Sequence, residues 1–223
     1  MLPIMTVVVA TRNPGKVAEI RAALEGLPIG LTSVADILKD APPIEETGLT
    51  FEENAVIKAR AVSEATHLVA LADDSGLEVE ALGGRPGVRS ARFARDGATD
   101  AENNAKLLAD LLDIPSIERR ARFRCVMALW DPFSDEEPVI AEGACEGWIA
   151  HQGRGTGGFG YDPLFVVDET GRTFAELTTE EKLSMSHRGR ALRSMKERIS
   201  AMVEARQREA SAIAALANKR GAP

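Results

Sequence analysis

The chain has 223 residues, of which 44% are hydrophobic and 27% are charged, and its formal net charge is −7. This composition is typical of a globular protein that is long enough to bury a substantial core. The acidic balance argues against a general nucleic-acid-binding protein, because such proteins usually present basic surfaces. No apolar run approaches the length of about 18 residues that a membrane span needs, so we expect no membrane association.

The N-terminal segment and the two cysteines bear on the compartment. The first ten residues lack the basic region and the small-residue cleavage site of a signal peptide. Cys125 and Cys145 do not have CxxC spacing and lie among apolar or small residues. We interpret them as reduced core residues. The sequence therefore predicts a cytoplasmic protein.

Strand and helix patterns alternate along the chain, which predicts an α/β fold. Thr6–Ala10 is a short β-branched run typical of a buried strand. In the following segment, Thr11–Lys16, Asn13 is suited to cap a helix and Pro14 to be its first residue. Backbone N–H groups at a helix start bind anions, and Lys16 adds a cation. The alternative is an ordinary turn between a strand and a helix.

Acidic residues lie in two segments that could belong to one metal site. Glu45 and Glu46 precede a capping box, Thr50 with Glu53, that predicts the start of a helix. Residues 71–76, Leu-Ala-Asp-Asp-Ser-Gly, follow an apolar run, so we expect a buried strand that ends there in a turn. Adjacent carboxylates that leave water need a cation or several donors, and Mg²⁺ is the natural partner. The alternatives are a solvated loop and a solvated turn.

The middle of the chain predicts a further helix and two strands. Thr99 and Glu102 form another capping box ahead of a leucine-rich helix. Residues 121–130 alternate between apolar and polar side chains, which predicts a half-exposed strand. A second strand is expected within 138–150, after a turn. Neighbouring antiparallel strands would make the sheet mixed rather than purely parallel.

A glycine-rich segment, Gly153–Asp162, contains the pattern GxGxxG twice. A dinucleotide-binding loop must open a helix, whereas this segment leads into the extended residues 161–167, so we reject that interpretation. Glycines beside Phe159 favour close approach of the backbone to a flat ligand such as a base. The alternative is a flexible loop.

A group of basic residues surrounds the start of the last predicted helix. Lys182, His187 and Arg188 cluster there, and Ser186 can cap the helix. The cluster suits recognition of a polyphosphate or a base, and the alternative is a solvated helix face. The scattered histidines argue against zinc, and Ser75 is not in a GxSxG elbow. Beyond about residue 205 we expect a helical or disordered tail.

The order of these motifs resembles the inosine triphosphate pyrophosphatase family, and it is closest to the family's bacterial members. The resemblance covers about residues 6–200 and rests on Thr-Arg-Asn-Pro-Gly-Lys (11–16), Glu-Glu-Thr-Gly-Leu-Thr-Phe-Glu-Glu-Asn-Ala (45–55), Ala-Asp-Asp-Ser-Gly-Leu (72–77), Gly-Gly-Arg-Pro-Gly-Val-Arg-Ser-Ala-Arg (83–92), Gly-Thr-Gly-Gly-Phe-Gly-Tyr-Asp-Pro (155–163) and Ser-His-Arg-Gly (186–189). It implies a two-lobed α/β fold around a long curved mixed sheet, with a nucleotide cleft between the lobes and a single domain over residues 1–204. It also implies homodimers.

The resemblance further implies Mg²⁺-dependent hydrolysis of dITP, ITP and XTP to the monophosphate and pyrophosphate, which cleanses the nucleotide pool. By position, Asp74 resembles the proton acceptor and a metal ligand, and Glu45 the second metal carboxylate. Asp73 and Glu46 are similar to supporting acids. The expected substrate contacts are Thr11, Arg12, Asn13, Pro14, Gly15, Lys16, Ser75, Phe159, Gly160, Tyr161, Asp162, Lys182, His187 and Arg188.

Selectivity is expected at the purine six-position, where a carbonyl would suit backbone N–H groups or a cation such as Arg188, and an amine would not. Two other functions stay open. One is a pyrophosphatase for other modified nucleotides, and the other is a nucleotide sensor without turnover. A nucleic-acid-binding module is disfavoured by the acidic charge and the few aromatic residues.

Overall fold

The computed structural model describes residues 5–42, 44–134 and 137–220. Its centre is a six-stranded sheet in the order β2-β1-β3-β4-β5-β6. The strands are β1 (Thr6–Val9), β2 (Gly30–Ser33), β3 (Val69–Val79), β4 (Arg120–Trp130), β5 (Val139–Ile149) and β6 (Phe165–Val167). β1 pairs in parallel with β2 and β3, whereas β3 to β6 are antiparallel, so the prediction of a mixed sheet is confirmed.

Six α-helices flank this sheet within the part of the chain that the structure describes. They are α1 (Pro14–Leu24), α2 (Val34–Ile37), α3 (Phe51–Thr66), α4 (Asp100–Asp110), α5 (Thr179–Met185) and α6 (His187–Arg220). None of the described helices is both long enough and apolar enough to cross a membrane. α6 continues well beyond residue 205, and its side chains are exposed from residue 207 to residue 216.

The predicted helix caps are confirmed. The Asn13 side chain accepts hydrogen bonds from the backbone N–H groups of Gly15 and Lys16 at the start of α1. Thr50 and Thr99 each form a complete capping box, at the starts of α3 and α4 respectively. These caps depend on contacts within a few residues, which is why the local sequence predicts them.

The prediction that the chain turns after Asp73 and Asp74 is wrong. β3 continues through Ser75 and Gly76, and Asp73 and Asp74 lie opposite Met127 and Val126 of β4. The antiparallel partner β4 satisfies the backbone groups of β3 along its whole length, which keeps turn-forming residues extended. Gly76 is required there because a Cβ atom would lie 2.5 Å from the Gly87 carbonyl oxygen.

β4 is half-exposed only near its start. Arg122 is exposed, but Val126 and Ala128, on the same side of the strand, are buried under α3. The alternation predicted at 121–130 therefore gives way to burial on both faces, because helices cover both sides of the sheet there.

The core consists of three apolar clusters, which give the molecule two lobes. Two clusters lie on opposite faces of the first half of the sheet, one packed against α1 and α6 and the other against α3. The third cluster joins the far halves of β3 and β4 to α4 and β6. The residues of the candidate site lie around β3, where the lobes meet.

Candidate active site

Asp73 and Asp74 are adjacent in a strand, so their side chains point to opposite faces of the sheet. Asp73 faces α1 and α6, and one of its carboxylate oxygens, Oδ2, lies 3.1 Å from Lys16 Nζ and 3.2 Å from Arg188 Nη2. Asp74 faces α3, and its Oδ1 lies 2.6 Å from Lys58 Nζ. The two carboxylates therefore belong to separate charge networks.

Asp73 is the centre of the first network. Its Oδ2 also accepts a hydrogen bond from Ser75 Oγ at 3.1 Å, whereas Oδ1 has no hydrogen-bond partner among the described residues. Burial alone would raise the pKa of Asp73, but the positive charges of Lys16 and Arg188 outweigh burial and lower this pKa below its usual range. Asp73 is therefore ionised and forms ion pairs with Lys16 and Arg188.

Asp74 is in a different electrostatic state. Burial raises the pKa of Asp74, and the neighbouring charge of Lys58 only partly opposes this effect. Its second oxygen, Oδ2, accepts a hydrogen bond from Asn54 Nδ2 at 3.4 Å. A carboxylate with a raised pKa is a better proton acceptor than an ordinary aspartate, because basicity increases with pKa.

Lys58 is a buried residue of this site that the sequence analysis did not identify. Its ammonium group lies 2.9 Å from Glu46 Oε1 as well as 2.6 Å from Asp74, and Arg92 Nη1 lies 3.2 Å from the other oxygen of Glu46. The sequence did contain a signal that could have identified Lys58. The residue lies on α3 next to Ala59 and Val62, on the face that was predicted to be buried. A lysine on such a face needs a buried acid.

The two glutamates of the acidic loop differ in their surroundings. Glu46 is half-buried and pairs with Lys58 and Arg92, and these two cations lower its pKa against the opposing effect of burial. Glu45 is exposed, and it forms no ion pair within the described ranges. The loop is held in place by Asn54, whose Oδ1 accepts the Gly48 N–H at 2.8 Å.

The segment Thr11–Lys16 forms the start of α1 beside Asp73. Thr11 Oγ1 accepts the Asn13 N–H at 3.2 Å, which stiffens the turn. Lys16 reaches Asp73, but Arg12 points elsewhere, since its Nη2 donates to the carbonyl oxygens of Leu38 and Ala41 at 2.7 and 2.8 Å. Arg12 therefore fixes the loop after α2 in this structure.

Phe159 lies at the other end of the site, between cations. Its ring centroid is 4.7 Å from Lys182 Nζ and 5.6 Å from Arg188 Cζ, both within the range of cation–π attraction. Lys182 also lies 2.6 Å from Asp162 Oδ2 and 3.0 Å from Glu19 Oε1. Glu19 was not identified from the sequence, although it also pairs with Arg188 and so fixes both cations.

His187 and Tyr161 are buried around this aromatic end. The His187 ring stacks on Phe123 with centroids 4.6 Å apart. Burial, together with the charges of Arg188 and Lys182, lowers the pKa of His187 well below its usual value, so the imidazole is neutral at physiological pH. The Tyr161 hydroxyl donates to the Ser90 carbonyl oxygen at 2.8 Å.

Many of these residues line one cleft, whereas Asp74, Lys58, Glu45 and Glu46 are not part of its walls. Its walls bring together most of the expected substrate contacts, namely Asn13, Lys16, Ser75, Phe159, Gly160, Tyr161, Asp162, Lys182, His187 and Arg188. Cations, small residues and an aromatic ring are the features that a ligand with phosphates and a flat base would need. The fold and the site together define an α/β protein with a cleft for a polyanionic, aromatic ligand.

Comparisons with known proteins agree with this class. The sequence profile of the Ham1 family matches residues 7–198, and the chain belongs to the Ham1 family. A dITP/XTP pyrophosphatase of Geobacter sulfurreducens is 53% identical over 192 residues, which cover 86% of this chain and 95% of that relative. A dITP/XTP pyrophosphatase of Nitratidesulfovibrio vulgaris is 54% identical over 198 residues, 86% of this chain and 94% of that relative.

Solved structures also resemble this one. A HAM1 protein from Coxiella burnetii superposes with a TM-score of 0.80 at 45% identity, covering 88% of this chain and 99% of that one. A nucleoside-triphosphatase and dITP/XTP pyrophosphatase from Mycobacterium abscessus gives a TM-score of 0.68 at 48% identity, covering 86% and 98%. These similarities extend over both lobes and therefore include the cleft.

Proposed function

We propose that this protein hydrolyses non-canonical purine nucleoside triphosphates, namely dITP, ITP and XTP, to the monophosphate and pyrophosphate. The observation that carries the proposal is the cleft in which Lys16, Lys182 and Arg188 lie with the aromatic ring of Phe159, beside Asp73 of β3. The names of the relatives support the same substrates. In the cell this activity would remove deaminated purines from the nucleotide pool.

The reaction adds water to the α-phosphorus and breaks the bond between that phosphorus and the oxygen of the leaving pyrophosphate. In our proposal Asp74 accepts the proton of the attacking water, a role that its raised pKa supports. Lys16 and Lys58 stabilise the charge that develops on the phosphate oxygens, since both ammonium groups already lie beside β3. The remaining contacts with phosphate would come from Thr11–Gly15 and Ser75.

We further propose that the enzyme uses Mg²⁺, held by Glu45 and Asp74. Carboxylate oxygens are the donors that Mg²⁺ prefers, and Lys58 Nζ already lies beside Asp74 and beside Glu46, the neighbour of Glu45 in the chain. The described residues contain no complete cluster of three acidic, histidine or cysteine ligands. This fits an ion that takes one or two carboxylates from the protein and its other ligands from phosphate and water. When bound, Mg²⁺ would neutralise phosphate charge.

Selection of the base would occur beside Phe159. A six-position carbonyl is an acceptor, which suits a region that presents cations on Lys182 and Arg188. The amine of adenine would meet these donors without forming a hydrogen bond, and buried groups left without partners are costly. This argument supports preference for hypoxanthine and xanthine over adenine.

We also propose that residues 1–204 form the catalytic domain and that the protein works in the cytoplasm as a homodimer, without nucleic-acid or membrane partners. Both cysteines are free and buried, which is compatible with a reducing compartment. Exposed apolar side chains such as Leu49 and Phe133 are available for contact between subunits. Light scattering coupled to gel filtration tests the dimer, and a monomeric mass would contradict it.

The function is tested by product analysis with Mg²⁺ across dITP, ITP, XTP, dGTP, ATP and dTTP. We expect monophosphate and pyrophosphate from the inosine and xanthosine nucleotides, with much lower kcat/KM for ATP. Orthophosphate would contradict the assigned bond cleavage. Turnover of other modified nucleotides instead would favour a different pyrophosphatase, and binding without product would favour a sensor.

A further inference from the structure

The loop that carries Phe159 has a backbone that its own sequence does not fix. Five of the eight residues from 153 to 160 are glycines, and Gly155, Gly158 and Gly160 have positive φ angles of 80°, 75° and 61°. Glycine visits such conformations freely but also leaves them freely. The position of the Phe159 ring therefore depends on contacts from outside the loop.

Two side chains of α4 form hydrogen bonds with Gly160, one with its N–H and one with its carbonyl oxygen. Asp100 Oδ2 accepts the Gly160 N–H at 2.7 Å, and Asn104 Nδ2 donates to the Gly160 carbonyl oxygen at 3.0 Å. Asp100 and Asn104 are one helical turn apart, so they lie on the same face of α4. We name this pair the α4 clamp.

α4 is anchored in the apolar core, and Asp100 at its start also lines the cleft. α4 packs through Leu107 and Leu111, which are fully buried in the cluster that also contains Phe165 and Phe174. Asp100 forms no ion pair within the described ranges, unlike Glu102, which serves the capping box and pairs with Arg95. Among the described residues, the group that hydrogen-bonds to this carboxylate is the Gly160 N–H, so the carboxylate serves to hold the loop.

The α4 clamp acts beside a second restraint on the adjacent aromatic residue, since Asp162 Oδ2 accepts the Phe159 N–H at 2.9 Å. With Gly160 fixed, Phe159 projects onto the start of α1, so closely that a Cβ atom on Gly15 would lie 2.7 Å from the ring. The same ring also lies within cation–π distance of Lys182 and Arg188. A shift of the loop would therefore displace the ring from both the helix start and the two cations.

From this geometry we propose that Asp100 and Asn104 are positioning residues that determine base selectivity. They hold the Phe159–Gly160 backbone so that the aromatic ring and Asp162 present one fixed surface to the purine. This inference rests on the proposed function, because it places the base at Phe159. Within the described ranges neither Asp100 nor Asn104 forms a hydrogen bond or an ion pair with Lys16, at the proposed phosphate end of the cleft.

The test compares Asp100→Ala, Asp100→Asn and Asn104→Ala with the wild type. The matched control is Asp113→Ala, which removes an acid that is exposed and outside the cleft. The readouts are kcat and KM for ITP and ATP, the inhibition constant of inorganic triphosphate, the Tm, and hydrogen exchange at the Gly160 amide. Inorganic triphosphate has no base and reports on the phosphate end alone.

We expect Asp100→Ala to raise KM for ITP about tenfold, the usual order for loss of one hydrogen bond to a charged group. The preference for ITP over ATP should fall, and the Gly160 amide should exchange faster in the free protein. Asn104→Ala should shift the same quantities in the same direction. The inhibition constant of inorganic triphosphate, the Tm and the control should stay near the wild-type values.

Asp100→Asn separates positioning from charge. Its amide oxygen can still accept the Gly160 N–H, so we expect it to retain most of the wild-type selectivity. Equal defects in Asp100→Asn and Asp100→Ala would overturn the proposal, because charge alone would then explain the effect. Unchanged exchange at Gly160 in Asp100→Ala would overturn the clamp whatever the activity, whereas a wild type that releases no pyrophosphate from ITP would overturn the proposed function.

Discussion

Lys58 balances the negative charges on the face of β3 that carries Asp74. Its ammonium group is the common partner of Asp74 and Glu46, and only about a tenth of its side chain is exposed. Removing one member of a buried charge network leaves the others without compensation, which costs more than the network itself contributes. The residue therefore matters for stability as well as for the proposed chemistry.

We predict that Lys58→Met lowers the free energy of unfolding by about 3 kcal/mol, the order observed when one partner of a buried ion pair is removed. Adding Asp74→Asn should recover part of that loss, because the second change removes a carboxylate that had become unpaired. Lys39→Met is the control, since Lys39 is exposed. Urea unfolding measures the wild type, the two single variants, the double variant and the control, and additive losses in the double variant would contradict the coupling.

At the scale of elements, β5 and α6 pack closely against each other. A Cβ atom on Gly143 would lie 2.2 Å from the His187 carbonyl oxygen and 2.6 Å from the Ala191 backbone nitrogen. The strand and the helix backbone therefore touch at a position where only glycine fits. This contact fixes the start of α6, and with it the orientation of His187 and Arg188.

We predict that Gly143→Ala destabilises the protein by about 2 kcal/mol, because the added methyl group would force backbone to move against backbone. Gly153→Ala is a suitable control, since its nearest contact, to Pro163 Cβ, is at 3.4 Å. Thermal unfolding measures both variants. A Tm of Gly143→Ala equal to that of the wild type would contradict the packing described at this crossing.

The elements also explain which parts of the fold the sequence could predict. Helix starts were predicted correctly because a cap such as Asn13 or Thr50 acts on backbone groups within three residues. The end of β3 was predicted wrongly, because the length of this strand depends on pairing with β4, about fifty residues away in the chain. Residues such as Ser75-Gly76 favour a turn when only their local sequence is considered. Pairing with the neighbouring strand keeps them extended instead.

At the scale of the whole molecule, the site joins residues from both ends of the chain. The motifs predicted substrate contacts, from Asn13 to Arg188, most of which line one cleft, and their roles stay predictions. They did not identify Lys58, Arg92 or Glu19, because the role of each depends on a contact between elements. The one available signal in the sequence was a charged residue on a helix face that was predicted to be buried. Of these three residues, Lys58 alone gave that signal.

The buried ion pairs of Glu19 with Lys182 and Arg188 make the stability of the protein depend on pH. Burial would raise its pKa, but Arg188 and Lys182 outweigh burial, and the pKa of Glu19 is lowered from its ordinary value of 4.5. A depressed carboxyl pKa contributes stability above the unfolded-state value and loses it as the pH falls through the folded-state value. The contribution should therefore disappear in the acidic range below pH 4.5.

We predict that the free energy of unfolding of the wild type falls as the pH drops from neutral through this range, and that Glu19→Gln shows a shallower fall. At neutral pH the variant should be less stable, because Arg188 and Lys182 lose a buried partner. Glu25→Gln, at an exposed residue of the next turn, is the control. Denaturant unfolding at a series of pH values measures the slopes, and parallel slopes for wild type and Glu19→Gln would contradict the assignment.

The most direct test of the whole account is the turnover of ITP by Asp74→Asn. We predict that kcat falls by about 10²–10⁴-fold, the usual contribution of a positioned general base. The Tm and the inhibition constant of inorganic triphosphate should show that the variant is folded and still binds at the phosphate end. Turnover close to that of the wild type would contradict the role of Asp74 and the mechanism built on it.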